Sequence, residues 1–200
     1  EHKIIDQHSF ALAGDGCFQE GVSAEAAAFA AHEKLDNVIV IYDANEVTLD
    51  KMASFTQSED VGARFKAYGW EVITIDGHDL EEIEGAISKA KSNDNGQPKL
   101  IIANTVIGKG VEQVEGTNAA HGEAGVPYVD DARVKLGLPA DEKWYVSPET
   151  RKFFENRKTD LKKQYDEWQN TFKAWSEANP DKAKMLKKMV NKEVPSTDEI

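Results

Sequence analysis

The chain has 200 residues, 40% of them hydrophobic, and a formal charge of −12, which allows one domain of ordinary size plus an appendage. That charge argues against nucleic acid or an anionic membrane as a partner, because both need a basic surface, and no apolar run approaches the ~20 residues of a membrane span. The single cysteine, Cys17, excludes an internal disulfide and fits a reducing cytoplasm. No signal peptide is visible. The chain opens at Glu1 without methionine and closes on a linker-like stretch from Val194 to Ile200, so both ends read as cut from something longer.

Ser9-Phe10-Ala11-Leu12-Ala13 reads as a strand buried on both faces. Gly14 to Gly21 reads as a glycine-rich turn, Ser23 as an N-cap, and Ala24 to Leu35 as a helix. Its many alanines let it lie very close to another surface. Asn37 to Tyr42 is the next strand, and strand, helix, strand predicts a parallel pair with a right-handed crossover. Thr56 to Tyr68 suggests a short helix, and Trp70 to Ile75 alternates as a strand. Asp79 to Ser92 places Leu80, Ile83, Ile87 and Ala90 on one stripe of an amphipathic helix. Lys99 to Val106 is a fourth strand. The whole predicts a doubly wound α/β domain, its sheet mostly parallel and helices on both faces.

Ile107 to Val129 is a long glycine-rich loop, of a length that is usually functional or disordered. The texture changes at Asp130, so residues 1–130 are expected to form the α/β domain and 131–200 a helical extension and linker. Ser147-Pro148-Glu149 marks a helix start. Thr150 to Asn191 is charged and helical, with a break at Asn179-Pro180. Aromatics from Phe153 to Trp175 are spaced to pack on neighbours.

The chemistry concentrates at two strand ends. Gly14-Asp15-Gly16 closes the first apolar strand, and Asn45 lies just past the second. Two parallel strands would deliver an acid and an amide to one edge of the sheet. Mg²⁺ and Ca²⁺ take oxygen ligands, Mg²⁺ in octahedral geometry. With two positions filled by diphosphate oxygens, one carboxylate and neutral carbonyl donors suffice. Asp15 supplies the charge, Asn45 an amide oxygen, and the backbone carbonyl of Val47 can reach the same ion. Gly14 and Gly16 remove side chains where a diphosphate must approach the backbone. The helix beginning near Ser23 directs partial positive charge at the same region. Gly-Asp-Gly alone is often only a turn; the pairing with Asn45 carries the argument.

These residues resemble the thiamine diphosphate motif, and the string Gly14 to Ser23 resembles its transketolase form. So do Tyr42-Asp43-Ala44-Asn45, the block from Arg64 to Trp70, Ile75-Asp76-Gly77-His78-Asp79, Thr105 to Gly110, and Gly116-Thr117 followed by His121-Gly122. The resemblance runs from about Ile5 to the C-terminus. It implies transfer of a two-carbon ketol unit from a ketose phosphate to an aldose phosphate, in the pentose phosphate pathway of the cytoplasm. It implies a homodimer with thiamine diphosphate at the subunit interface. Asp15, Asn45 and Val47 would bind Mg²⁺ or Ca²⁺, and Gly14 and Gly16 would line the diphosphate. His121 would sit beside cofactor and sugar, and Glu20 and Glu25 near the dimer interface. A glutamate that protonates the aminopyrimidine has no counterpart here, so the remaining segments of the same enzyme are expected partners, and this stretch alone is expected to be inactive. The family's first loop histidine is replaced by Asn118, which bears on donor-sugar contact. Related readings are dihydroxyacetone synthase, phosphoketolase, deoxyxylulose-phosphate synthase, or a non-catalytic homologue that keeps the pocket.

His2, His8, His32 and His78 have no metal-ligand spacing. His78 is expected to order the turn before a helix, and Cys17 to be buried and inert.

Overall fold

Four apolar runs pair into one all-parallel sheet: β1 (Ser9–Gly14), β2 (Val38–Ala44), β3 (Glu71–Asp76) and β4 (Lys99–Asn104). Their order is β1-β2-β4-β3, with Gly14 opposite Asp43 and Ala44 opposite Asn104 at the exits. The computed structural model describes residues 3–123, 125–194 and 196; His2 and most of the linker-like tail lie outside them. The chain divides into two compact units, Gln7–Lys143 and Glu1–Asp6 with Trp144–Ile200.

Helices cover both faces of the sheet. On one, Phe18 from α1 (Asp15–Gln19), Ala27 and Ala30 from α2 (Gly21–His32) and Phe65 from α3 (Val61–Tyr68) bury against Tyr42, Trp70 and Leu100. Small residues on α2 let its backbone come close enough for Trp70 Nε1 to donate to the Ala27 carbonyl at 2.8 Å. On the other face, Ala86 and Ala90 of α4 (Leu80–Ser92) pack on Ile39, Ile75 and Ile101. The doubly wound architecture is therefore as the alternation of elements predicts.

Several local expectations differ. β1 is not buried on both faces: Phe10 is 49% and Leu12 76% exposed, because they pair with Ile39 and Ile41 on the α4 side of the sheet, where the packed cluster stops at β2 and includes no β1 residue. The stretch from Gly14 to Gly21 is not a plain turn but contains α1. Ser23 does not cap α2; that helix starts at Gly21, and the Ser23 hydroxyl donates back to the Glu20 carbonyl at 2.7 Å. The third helix starts at Val61, not near Thr56, because the Asp60 carboxylate accepts the Ala63 N–H at 2.8 Å. It ends on Gly69 at φ 106°, where glycine carries no Cβ penalty. Asp79 caps α4 through the N–H groups of Glu81 and Glu82.

The predicted long loop contains two short 3₁₀ turns, Asn118–Ala120 and Val126–Tyr128, and leads into α5 (Val129–Lys135). In the other unit, α6 (Pro148–Ala178) is capped by Ser147 Oγ, which accepts the Thr150 N–H at 3.1 Å, and α7 (Pro180–Val190) follows the proline break. Phe153, Phe154, Leu161 and Tyr165 are exposed, with Phe153 meeting Phe154 edge-on and Tyr165 stacked on Trp168. Trp168, Phe172 and Trp175 stack at 5.2 and 5.9 Å, and Trp168 Nε1 donates to the Ile4 carbonyl. Among the described residues no helix is long and apolar enough to cross a membrane.

Candidate functional site

The register brings the exit of β1 beside the exit of β2, and Asp15 is the first residue past it. Asp15 is only 4% exposed. Burial of a carboxylate costs several kcal/mol unless it is hydrogen-bonded, and three donors meet it. The Tyr42 hydroxyl donates to Oδ1 at 2.6 Å, and the backbone N–H groups of Asn45 and Glu46 donate to Oδ2 at 3.1 and 3.0 Å. The link from Asp15 to Asn45 thus runs through the Asn45 backbone N–H and not through its side-chain amide. Tyr42 was not among the residues singled out for the site. Burial, and then its bond to the Asp15 carboxylate, push its hydroxyl well above the ordinary tyrosine value. The signal was a hydroxyl within the aliphatic run Val38 to Tyr42, since a buried tyrosine needs a polar partner.

The Asn45 side chain is oriented on both sides. Its Oδ1 accepts the Val47 N–H at 3.0 Å and its Nδ2 donates to Asp43 Oδ2 at 3.0 Å. Asp43 Oδ1 in turn accepts the Thr105 hydroxyl. The Asn45 loop folds back through Thr48 N–H to Lys51 and Ala53 N–H to Glu46, with Glu46 held at φ 64°. Val47 is 5% exposed, and its carbonyl has no hydrogen-bond donor among the described residues.

This donor set fits a hard divalent cation. Asp15 Oδ1 and Asn45 Oδ1 each keep a lone pair beyond the bond they accept, and the Val47 carbonyl is an unpartnered oxygen in a buried residue. All three donors are oxygens, the ligand type that Mg²⁺ and Ca²⁺ take. Among the described residues no three His, Cys, Asp or Glu side chains cluster as a metal site; one carboxylate with neutral oxygens would not form such a cluster. A Cβ on Gly16 would meet nothing within 4 Å, and on Gly14 only the Asp43 carbonyl at 4.0 Å. Neither glycine is demanded by the fold, and the space above them is open to an approaching group.

His121 stands at the end of the Asn118–Ala120 turn and is exposed. It makes no hydrogen bond to Asp15, Asn45 or Val47. Its loop is tied to the Asn45 loop instead by Asn118, whose Nδ2 donates to the Asp50 carbonyl at 2.8 Å. Gly108 supports that loop: at φ 66°, a Cβ there would lie 2.8 Å from the Ala120 Cβ. Glu20 and Glu25 are both exposed. Cys17 is exposed as well, against the expectation of a buried thiol, because α1 turns Phe18 rather than Cys17 into the core. Asp43, Asn45, His78, Thr105 and Ile107 line an open cleft of about 440 Å³. Asp15 lines a separate recess of about 380 Å³ with Tyr42, Gln57 and Glu59.

The family model described as transketolase, thiamine diphosphate binding domain, matches residues 1–195. The chain belongs to the transketolase family. It is 51% identical over 187 residues to the transketolase of Physarum polycephalum, covering 93% of this chain and 28% of that protein. The Dictyostelium discoideum transketolase is 50% identical over the same shares. Among solved structures, transketolase from Leishmania mexicana superposes with a TM-score of 0.88 at 28% identity, over 98% of this chain and 29% of that one. Transketolase from Campylobacter jejuni gives 0.83 at 32% identity, over 94% and 29%. The chain therefore spans less than a third of the length of the transketolases it matches.

Proposed function

We propose that this chain supplies the metal and diphosphate side of a transketolase active site. The observation that carries the reading is the buried Asp15 carboxylate, fixed by Tyr42 and by the backbone of the loop that also carries the Asn45 amide and the unpartnered Val47 carbonyl, in a member of the transketolase family. Asp15, Asn45 Oδ1 and the Val47 carbonyl would hold Mg²⁺ or Ca²⁺, and Gly14 and Gly16 would leave room for the diphosphate. When bound, thiamine diphosphate supplies the electron sink that lets the carbon–carbon bond of a ketose phosphate break. This chain's residues bind and orient. Tyr42 keeps its proton and holds Asp15 Oδ1 in place. The Asn45 and Glu46 N–H groups do the same for Oδ2. His121 would polarise a hydroxyl of the sugar or stabilise charge that develops on it. Glu20 and Glu25 would face the second subunit of a homodimer. The remaining segments of the enzyme would complete the site, which acts on sugar phosphates in the cytoplasm.

The experiment is calorimetry of thiamine diphosphate with Mg²⁺ on the purified protein and on Asp15→Ala. Loss of Mg²⁺-dependent binding in the variant is expected; equal affinity would remove Asp15 from the metal site. The reaction is checked by mass, with xylulose 5-phosphate as donor and ribose 5-phosphate as acceptor. In the complete enzyme, sedoheptulose 7-phosphate is the expected product, and its absence there with cofactor bound would overturn the activity.

A further inference from the structure

The motif from Asp76 to Asp79 supplies none of the metal or diphosphate contacts proposed above, yet its turn is held by several hydrogen bonds. The Asp76 side chain accepts the His78 N–H at 2.8 Å, and Glu82 Oε2 accepts the Asp76 N–H at 2.8 Å. Asp79 caps α4. The turn is thus pinned from within by three carboxylates. It is also pressed against the exit of β4. The Gly77 N–H donates to the Asn104 carbonyl at 2.8 Å. A Cβ on Gly77 would stand 2.4 Å from Thr105 Cγ2 and 3.1 Å from the Ala103 Cβ, so only glycine allows this approach. What the approach achieves is one contact: His78 Nε2 accepts the backbone N–H of Val106 at 2.8 Å.

The consequence lies on the neighbouring residue. Thr105 is bound to β2 through its N–H to the Ala44 carbonyl at 3.2 Å and its hydroxyl to Asp43 Oδ1. Asp43 holds the Asn45 amide through Oδ2. His78 therefore anchors the far side of the Thr105–Val106 peptide, and Thr105 passes that position to Asn45. His78 and Asn45 line the same open cleft.

We propose that His78 is a positioning residue, which through Val106, Thr105 and Asp43 sets the orientation of the Asn45 amide. This rests on the reading of Asn45 as a metal ligand. A partner bonded directly to a ligand, as Asp43 is to Asn45, commonly changes metal affinity by about tenfold or more, and His78 acts on that partner through Thr105. The contact is exposed, so its loss leaves the core packing in place and the variants fold.

The test separates acceptor from bulk. His78→Phe keeps a ring and removes the acceptor, while His78→Gln returns an oxygen near the place of Nε2. Amide hydrogen exchange is read first, on purified protein without cofactor or metal. At Val106, exchange is expected to rise about tenfold in His78→Phe, to return in His78→Gln, and to stay unchanged within β3 and β4. Thiamine diphosphate affinity in the presence of Mg²⁺ is then expected to fall about tenfold in His78→Phe and to recover in His78→Gln. Unchanged Val106 exchange, a rise spread equally over β3 and β4, a failure of His78→Gln to rescue, or faster exchange with unaltered affinity would each overturn the proposal. The exchange measurement needs no cofactor, so it stands or falls independently of Asp15→Ala, which tests the site itself.

Discussion

At the N-terminal end of β4, Lys99 is 0% exposed, and its ammonium donates to the carbonyls of Asp36, at 2.8 Å, and Asn93. At the C-terminal end of β1, Asp15 is buried almost as deeply under Tyr42 and two backbone N–H groups. Both ends of one sheet hide a charge, yet the surroundings differ in kind. The turns beside Lys99 are closed on each other. Glu71 accepts from the amides of Asn93 and Asn95, and Asp36 accepts the Gly96 N–H. Around Asp15 the neighbouring oxygens keep lone pairs, the Val47 carbonyl lacks a donor, and the space over Gly16 is open. A charge whose partners are all backbone and all engaged acts as a staple between turns. A charge whose neighbours keep free oxygens acts as a site, and it lies at the carboxyl ends of the strands, where open α/β sheets bind ligands.

The sharpest way to break this comparison is Lys99→Met. It leaves two buried carbonyls without their donor and is expected to cost roughly 3 kcal/mol in chemical denaturation. A loss below about 0.5 kcal/mol would deny Lys99 its stapling role. Asp15→Ala is the opposite case. Cofactor affinity is expected to fall about a hundredfold, or about 2.7 kcal/mol, and because Tyr42 and two backbone N–H groups lose their acceptor, stability is expected to fall by roughly 2 kcal/mol as well. Unaltered affinity would mean that the two ends are not different in kind. His121→Ala, in the complete enzyme, is expected to lower kcat about tenfold with cofactor affinity within about twofold; the reverse pattern would make His121 a cofactor ligand only.

Tyr42→Phe sharpens the comparison with a smaller effect than Lys99→Met or Asp15→Ala. It removes one hydrogen bond to a carboxylate and is expected to cost about 1.5 kcal/mol at neutral pH. The folded protein holds the Tyr42 proton more tightly than the unfolded chain does. The stability from this group is thus fully present below the ordinary tyrosine value of about 10 and lost as pH rises above it. Denaturation curves at alkaline pH should therefore fall less steeply for Tyr42→Phe. Identical slopes would mean that the hydroxyl is not held by Asp15.

Local pattern made much of this legible. Apolar runs marked all four strands, Asp79 and Ser147 announced their helices, and the pairing of Gly14-Asp15-Gly16 with Asn45 pointed to a hard cation and a diphosphate before any contact was known. The misreadings share a cause. The apolar residues of β1 read as buried, but burial depends on what covers a strand's faces, and the α4-side cluster includes no β1 residue. Ser23 has the right chemistry for a cap, but Glu20 stands one residue before the helix. Spacing suggested that the aromatics of α6 pack; Trp168, Phe172 and Trp175 stack, while Phe153 and Phe154 stay exposed.

Residue type and spacing by themselves determined the element order, the doubly wound class, and an acid and an amide at neighbouring strand ends, because these follow from forces acting over a few residues. Only the tertiary structure decided that Tyr42 holds Asp15, that Asn118 ties the His121 loop to Asp50, that His78 reaches Val106, and that Lys99 is caged by two turns. Apart from Asn93, which is close in sequence to Lys99, these partners are far away along the chain. They meet because the order β1-β2-β4-β3 and its register set strand exits side by side, and that register comes from contacts across the whole sheet.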